Sequence, residues 1–392
     1  MTMNPSASGW IKKLLKEVSV DETFFNRCLE SFYQDLKHCG FIYGSNVGIV
    51  SDAVPKNDLS DEELCKANLI LTFYYFYKIN PSEEKFIDSV ISFYSAITTS
   101  KTSIFDAILG KKKSAALLED LIDKRIHIDD NIFTKNFNYF ITNALLFVDV
   151  IAYEKFLKTT KVSDKYLLNF ETAIETIVIE VFESKLQKSK YDDSLAKLFK
   201  DSRRYHNYEP MDYGDAIAAL DTALEKQYTI DIACMASWTD STIDKSENRF
   251  LTQFCSHLNV DPSILRQSIS DIDTFYSSND NRIAALGSKN FVKSFYDNSS
   301  KMVIKLISRN SKRLVKELKE SKELMVLLKR STQRELTDEE HKKIQEQLLD
   351  IFKSIPSLAI FMLPGGAILL PLFIKFIPKL LPSAFDDNRI DD

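Results

Sequence analysis

The chain has 392 residues, 44% of them hydrophobic and 27% charged, and a net charge of −5. The length supports two or three domains with full cores, and the mildly acidic total excludes a chain built throughout to hold polyanions. The five cysteines, Cys28, Cys39, Cys65, Cys234 and Cys255, are odd in number and contain no CxxC pair. That argues against a disulfide framework and for a reducing compartment.

Charge is unevenly spread. Residues 293–334 carry twelve Lys or Arg against four Asp or Glu, a net of +8 that leaves −13 on the remainder. Gly and Pro are scarce before the last forty residues, which predicts long helices and an all-α fold. The first twenty residues lack the unbroken apolar core of a secretion signal, so the bulk of the chain is expected in the cytoplasm.

Trp10, Ile11, Leu14, Leu15 and Val18 recur on one helical stripe beside Lys12, Lys13 and Lys16. This reads as a first core helix with a solvated face, or as a short basic surface helix. Asp21 is placed to open a second helix and Gly40 to stop it. Ser60 and Glu63 form a capping box ahead of LCKANLILTFYYFYKI, and Asn80-Pro81 ends that helix before EEKFIDSVISFYSAI. The aromatic residues of these two helices predict core packing more strongly than a ligand pocket. Residues 132–158 are apolar but interrupted by Asn138, Asn143, Asp149 and Glu154, the pattern of a buried helix and not a span. Ser163 caps a further helix, expected to run to about Lys200, and the loop around Pro210 and Gly214 marks a boundary. The expected units are an N-terminal helical unit (1–110), a long-helix unit (111–205), a third helical unit (206–290) and a basic helix with a Pro-rich segment (291–392).

Candidate chemistry is thin. No two of the five histidines lie at metal-ligand spacing, and HExxH, a Gly-rich phosphate loop and GxSxG are all missing. The expectation is a protein that is not an enzyme and holds no cofactor. Asp240, Asp244 and Glu247 cluster at a turn between two helices and are the weak candidates for metal. They fail the EF-hand pattern, with Lys245 at the sixth position and Leu251 at the twelfth. The competing reading makes Asp244 an N-cap and Glu247 its capping-box partner. The stretch 228–275 resembles the helical tellurite-resistance TerB-type domain through Asp240, Ser241, Ile243 and Glu247.

From Phe291 the chain is basic and helical. Ile307, Ser311, Leu314, Leu318, Ser321, Met325 and Leu328 alternate at spacings of four and three. This heptad seam makes 303–328 a candidate for self-association. Lys312, Arg313, Lys316, Lys319 and Lys322 surround it as a basic surface. That surface reads first as a solvated face, then as attraction to anionic lipid, and last as nucleic-acid contact, since base-stacking aromatics are not interleaved. No DNA partner is expected.

Thr337 and Glu340 form another capping box before the last apolar run. From Ser354 to Ile374 there is no charged residue, and 21 residues at ~1.5 Å each reach roughly 30 Å, the depth of a hydrocarbon core. Pro364-Gly365-Gly366 divides the run into halves too short to cross alone, and Pro371 and Pro378 remove further helical hydrogen bonds. A kinked span, a re-entrant hairpin and a buried hairpin all fit.

The ordered elements here are Leu336-Thr337, Asp350 with Phe352 to Pro356, Pro364 with Leu370 to Pro371, Lys375 to Pro378, and Leu381, Pro382, Ser383 and Phe385. Together they resemble the core motif of the LETM1-like proteins. The whole chain looks like the bacterial group called LETM1-related biofilm-associated proteins. The resemblance implies membrane association at the cytoplasmic side of the inner membrane, with a lipid or membrane-protein partner. It also implies a link to K⁺, Ca²⁺ or proton homeostasis and, in mitochondrial members, ribosome binding. Those members carry the ribosome-binding part after the membrane segment, whereas this sequence stops seven residues after Phe385; they also carry an intramembrane carboxylate where Ala367 stands here.

Overall fold

The computed structural model describes residues 4–52, 54, 59–80, 82–98, 114–126, 146–186, 188, 193–194, 197, 211–238, 243–279, 291–355, 358, 361 and 369–382. Among them are seventeen helices and no strands, so the fold is all-α. Two compact units divide the chain, one formed by Met1–Gln187 with Met211–Ser294, the other by Lys188–Pro210 with Phe295–Asp392.

In the larger unit the first helices are α1 (Trp10–Val18), α2 (Glu22–Phe25) and α3 (Leu29–His38). Trp10, Ile11, Leu14 and Val18 of α1 are buried, so the N-terminal stripe is core. The single helix expected after Asp21 is broken in two, because Asp21 Oδ1 accepts from the amides of Thr23 and Phe24 and closes a one-turn helix. Gly40 ends α3 with φ +82°, and a Cβ there would sit 1.8 Å from the Ser45 carbonyl oxygen, so only glycine fits.

The next helix, α4 (Asp61–Ile79), is buried almost all round. Its Ser60–Glu63 capping box is formed in both directions. Around it pack α1, α5 (Phe86–Thr98), α6 (Ala115–Ile126) and α7 (Leu146–Thr159). Phe73 meets Phe93, Tyr94 and Tyr153 edge-on with ring centroids 5.0–6.2 Å apart, so the aromatic density is packing. Asp149, fully buried on α7, accepts two bonds from Arg125 at 2.7 and 3.0 Å and one from the Tyr94 hydroxyl at 3.1 Å.

The second half of this unit is built on α8 (Asp164–Ser184), capped by Ser163 and ending sixteen residues short of Lys200. Against it lie α7, α9 (Tyr213–Ala218), α10 (Ala223–Ser237) and α11 (Lys245–His257), and α12 (Pro262–Ser278) packs on α10, α11 and α3. Lys37 of α3 ties these parts together. Its ammonium is 2.8 Å from Asp231 of α10 and 2.9 Å from Asp271 of α12, with only 1% of its side chain exposed. Burial disfavours the charged amine, but the two carboxylates outweigh it and the pKa is raised.

The smaller unit holds most of α13 (Phe291–Arg309), then α14 (Ser311–Glu320), α15 (Lys322–Ser331), α16 (Asp338–Ser354) and α17 (Leu370–Leu380). The basic region is thus three helices, broken at Asn310 and at Ser321, which caps α15 through the Leu324 amide. Ile307, Leu314, Leu318 and Leu328 of the heptad seam are buried within the unit. Among the described residues no helix is long and apolar enough to cross a membrane.

A candidate site in the C-terminal unit

The unit is organised where α16 meets the apolar run. Thr337 caps α16 by accepting from the Glu340 amide, while Glu340 accepts from the Thr337 amide at 3.0 Å. Arg334 forks onto the same carboxylate at 2.6 and 2.8 Å, and Arg330 adds a third contact at 3.1 Å. The guanidinium of Arg334, followed by the backbone bond from Thr337, holds the Glu340 carboxyl down at about 2.

The inward face of α16 then meets the run. Phe352 stacks on Phe361 at 4.7 Å and meets Phe373 edge-on at 5.2 Å, and Phe361 and Phe373 are 5.0 Å apart. Ile355, Leu358, Phe361, Leu369, Leu370, Leu372, Phe373, Ile374 and Ile377 are each 5% exposed or less. Apart from exposed Ser354 and half-buried Pro371, the described part of this charge-free stretch is therefore hydrophobic core, with α17 packed on α15. Pro371 sits in the first turn of α17, where a missing amide hydrogen costs little, and Pro378 lies inside the helix.

Above this core is a cavity of about 560 Å³. Its lining includes Leu336, His341, Pro371, Leu372 and Ile374, together with Lys197, Arg334, Glu335, Lys375 and Lys379. Lys375 donates to the Tyr296 hydroxyl at 2.9 Å.

The motif residues predicted from sequence divide accordingly. Thr337 is an N-cap, Phe352, Leu370 and Leu381 are buried, and Pro371 and Lys375 face the cavity. Asp350 is on the surface, paired with Lys353 at 2.8 Å, and takes no part in the site. Pro378 is half-buried and Pro382 exposed. Pro356, Pro364, Gly365, Gly366, Ser383 and Phe385 lie outside the described residues, as does Ala367. Lys312, Arg313, Lys316 and Lys319 are exposed on α14 and Lys322 at the start of α15. Sequence reasoning misses Lys197, Tyr296 and Arg334 as cavity residues. They come from three separate stretches, and no local pattern brings them together. Lys379 carries a signal, four residues after Lys375 on one helix.

The acidic turn of the larger unit resolves into a helix start. Asp244 Oδ1 accepts from the Ser246 and Glu247 amides at 2.7 and 2.8 Å, and Glu247 returns to the Asp244 amide at 2.8 Å. Glu247 also faces Lys185 at 3.4 Å in a buried pair. Both carboxylates are engaged by backbone and lysine; Asp240 lies outside the described residues. Among the described residues no group of three or more His, Cys, Asp or Glu is placed to hold a metal.

Against known proteins, residues 336–392 match the family model described as LETM1-like, RBD. The Pro-rich stretch thus falls within a model that itself carries the RBD label, and is not separate from such a part. A segment of 53 residues is 44% identical to the mitochondrial proton/calcium exchanger protein of Drosophila melanogaster. That match covers 14% of this chain and 5% of the exchanger. No solved structure matches. Residues 336–392 are LETM1-like in sequence, and the likeness begins at the cap of α16.

Proposed function

We propose that this chain is a non-enzymatic interaction protein of the LETM1-like kind, a helical scaffold that associates peripherally with the cytoplasmic side of an inner membrane. The observation that carries this is the direction in which the C-terminal unit faces its side chains. Its apolar run packs inward on α15 and α16, while α14 buries Leu314 and Leu318 and exposes Lys312, Arg313, Lys316 and Lys319. A basic helix on a folded unit is attracted to anionic headgroups by about 1 kcal/mol per cation near the surface, with strong salt dependence. Flotation with liposomes tests it. Binding to phosphatidylserine vesicles, released by salt and lost in the K312Q/K316Q/K319Q variant, is expected. Retention through a carbonate wash, or indifference to vesicle charge, overturns the peripheral reading. Co-sedimentation with ribosomes and not with vesicles transfers the docking partner to the ribosome.

A second reading, participation in cation homeostasis, is favoured by the likeness to a proton/calcium exchanger. Ion exchange through a membrane calls for an ionisable group at depth, and the sequence from Ser354 to Ile374 supplies none. Proton-coupled calcium flux in reconstituted vesicles decides it, and flux no greater than in empty liposomes ends it.

A further inference from the structure

The cavity of the C-terminal unit is apolar on one side and cationic on the other. Leu336, Leu372 and Ile374, at 8%, 2% and 5% exposure, form the apolar part. Four cationic side chains, Lys197, Arg334, Lys375 and Lys379, share the lining with one carboxylate, Glu335. Two of the four are answered already. Arg334 is forked onto Glu340, and Lys197 stands 3.9 Å from Glu335 with both side chains exposed.

The pair on α17 is different. Lys375 and Lys379 are four residues apart, so their ammonium groups rise from one face of the helix and repel each other. Among the described residues neither has a carboxylate partner. Lys375 is nevertheless held in place, by its 2.9 Å bond to the Tyr296 hydroxyl and by the Phe376 ring at 5.6 Å. An ammonium has three donors and Tyr296 takes one, which leaves two for a ligand. Both side chains are exposed, so the pair is open to a ligand, with one member fixed beside an apolar wall and no carboxylate of the described residues between them.

We propose that this cavity binds a phosphate-bearing small ligand, its phosphoryl group between Lys375 and Lys379 and its remainder against Leu336, Leu372 and Ile374. Charge selects phosphate over carboxylate. A phosphate monoester carries about −1.5 to −2 near pH 7, which answers two ammonium groups, where a single carboxylate answers one. The volume of about 560 Å³ suits a small molecule, since ligand pockets run from about 300 to 1,000 Å³. The site is distinct from the exposed face of α14 and does not depend on membrane docking.

Isothermal titration of the full chain tests the assignment with three probes below their micellar concentrations: inorganic pyrophosphate, dihexanoyl phosphatidate and dihexanoyl phosphatidylcholine. Saturable binding of pyrophosphate or phosphatidate is expected, weakened at least tenfold in K375Q/K379Q, the loss of about one charge-assisted bond or more. K312Q/K316Q/K319Q leaves it unchanged even where that variant abolishes vesicle binding. Phosphatidate binding tighter than pyrophosphate identifies a lipid headgroup as the source; the reverse order identifies a free phosphate ester. Equal affinity for phosphatidylcholine, absence of saturation with either phosphate probe, or wild-type affinity in K375Q/K379Q overturns the site. Should the double variant misfold, K379Q alone serves. Its side chain is exposed and has no partner to lose among the described residues, and its loss is expected to weaken binding roughly three- to tenfold.

Discussion

Replacing Phe373 by alanine separates a buried core from a membrane segment. Phe373 is fully buried and touches Phe352 and Phe361 at centroid distances of 5.2 and 5.0 Å. Truncating a core phenylalanine costs about 3–5 kcal/mol through lost transfer energy and the cavity left behind. In a unit of this size that lowers the unfolding midpoint by roughly 10–20 °C. The chain offers a means of localising the loss. Its only tryptophans, Trp10 and Trp238, both belong to the larger unit. Thermal unfolding of the purified chain followed by far-UV circular dichroism reports all helices, while tryptophan fluorescence reports the larger unit. F373A is expected to move an early component of the dichroism and leave the fluorescence transition in place. A dichroism curve within about 1 kcal/mol of wild type, measured without detergent, refutes the burial argument. F373L, which keeps most of the volume, should recover the greater part of the loss.

Lys37→Met keeps the apolar stem and removes the cation, leaving Asp231 and Asp271 buried without it; urea denaturation followed by tryptophan fluorescence should show a loss of about 3–5 kcal/mol. Because the Lys37 pKa is raised, its contribution is complete below the pKa of the unfolded amine and fades only as pH rises through the folded value, so the loss in Lys37→Met should be the same across neutral pH. Thr337→Ala removes one half of the α16 capping box and should cost about 1 kcal/mol in the dichroism-detected transition. Glu340, held at about 2, contributes stability that is present above the usual carboxylate pKa and lost as pH falls through that region toward 2. E340Q should therefore flatten the acid limb of the stability profile, and an unchanged limb argues against the Arg334 contact.

Local signals were legible where the chemistry is local. The capping boxes at Ser60, Asp244 and Thr337 form as their spacing requires, because each joins residues three apart. The N-terminal stripe and the aromatic helices fall in the core as their periodicity predicts. The motif around the last apolar run was readable as a family pattern, yet periodicity did not disclose its partner. Hydrophobicity measures how strongly a segment avoids water and says nothing about whether lipid or protein covers it. The breaks at Asn310 and Ser321 were hidden because the heptad spacing continues across them. The cavity was hidden for the opposite reason, since its lysines, tyrosine and arginine lie far apart in sequence.

The interleaving of the two units has a consequence for the order of synthesis. The larger unit is split by residues 188–210, and its second half ends only at Ser294. Lys37 leaves a ribosome some two hundred residues before its partners, at sequence separations of 194 to Asp231 and 234 to Asp271. Throughout that interval α3 lacks α12, and once made α8 lacks α9, α10 and α11, so apolar surface stands uncovered while translation continues. Contacts of such span are formed late and slowly. Pausing or truncation before about residue 280 is expected to leave that surface open to aggregation and send the chain to degradation.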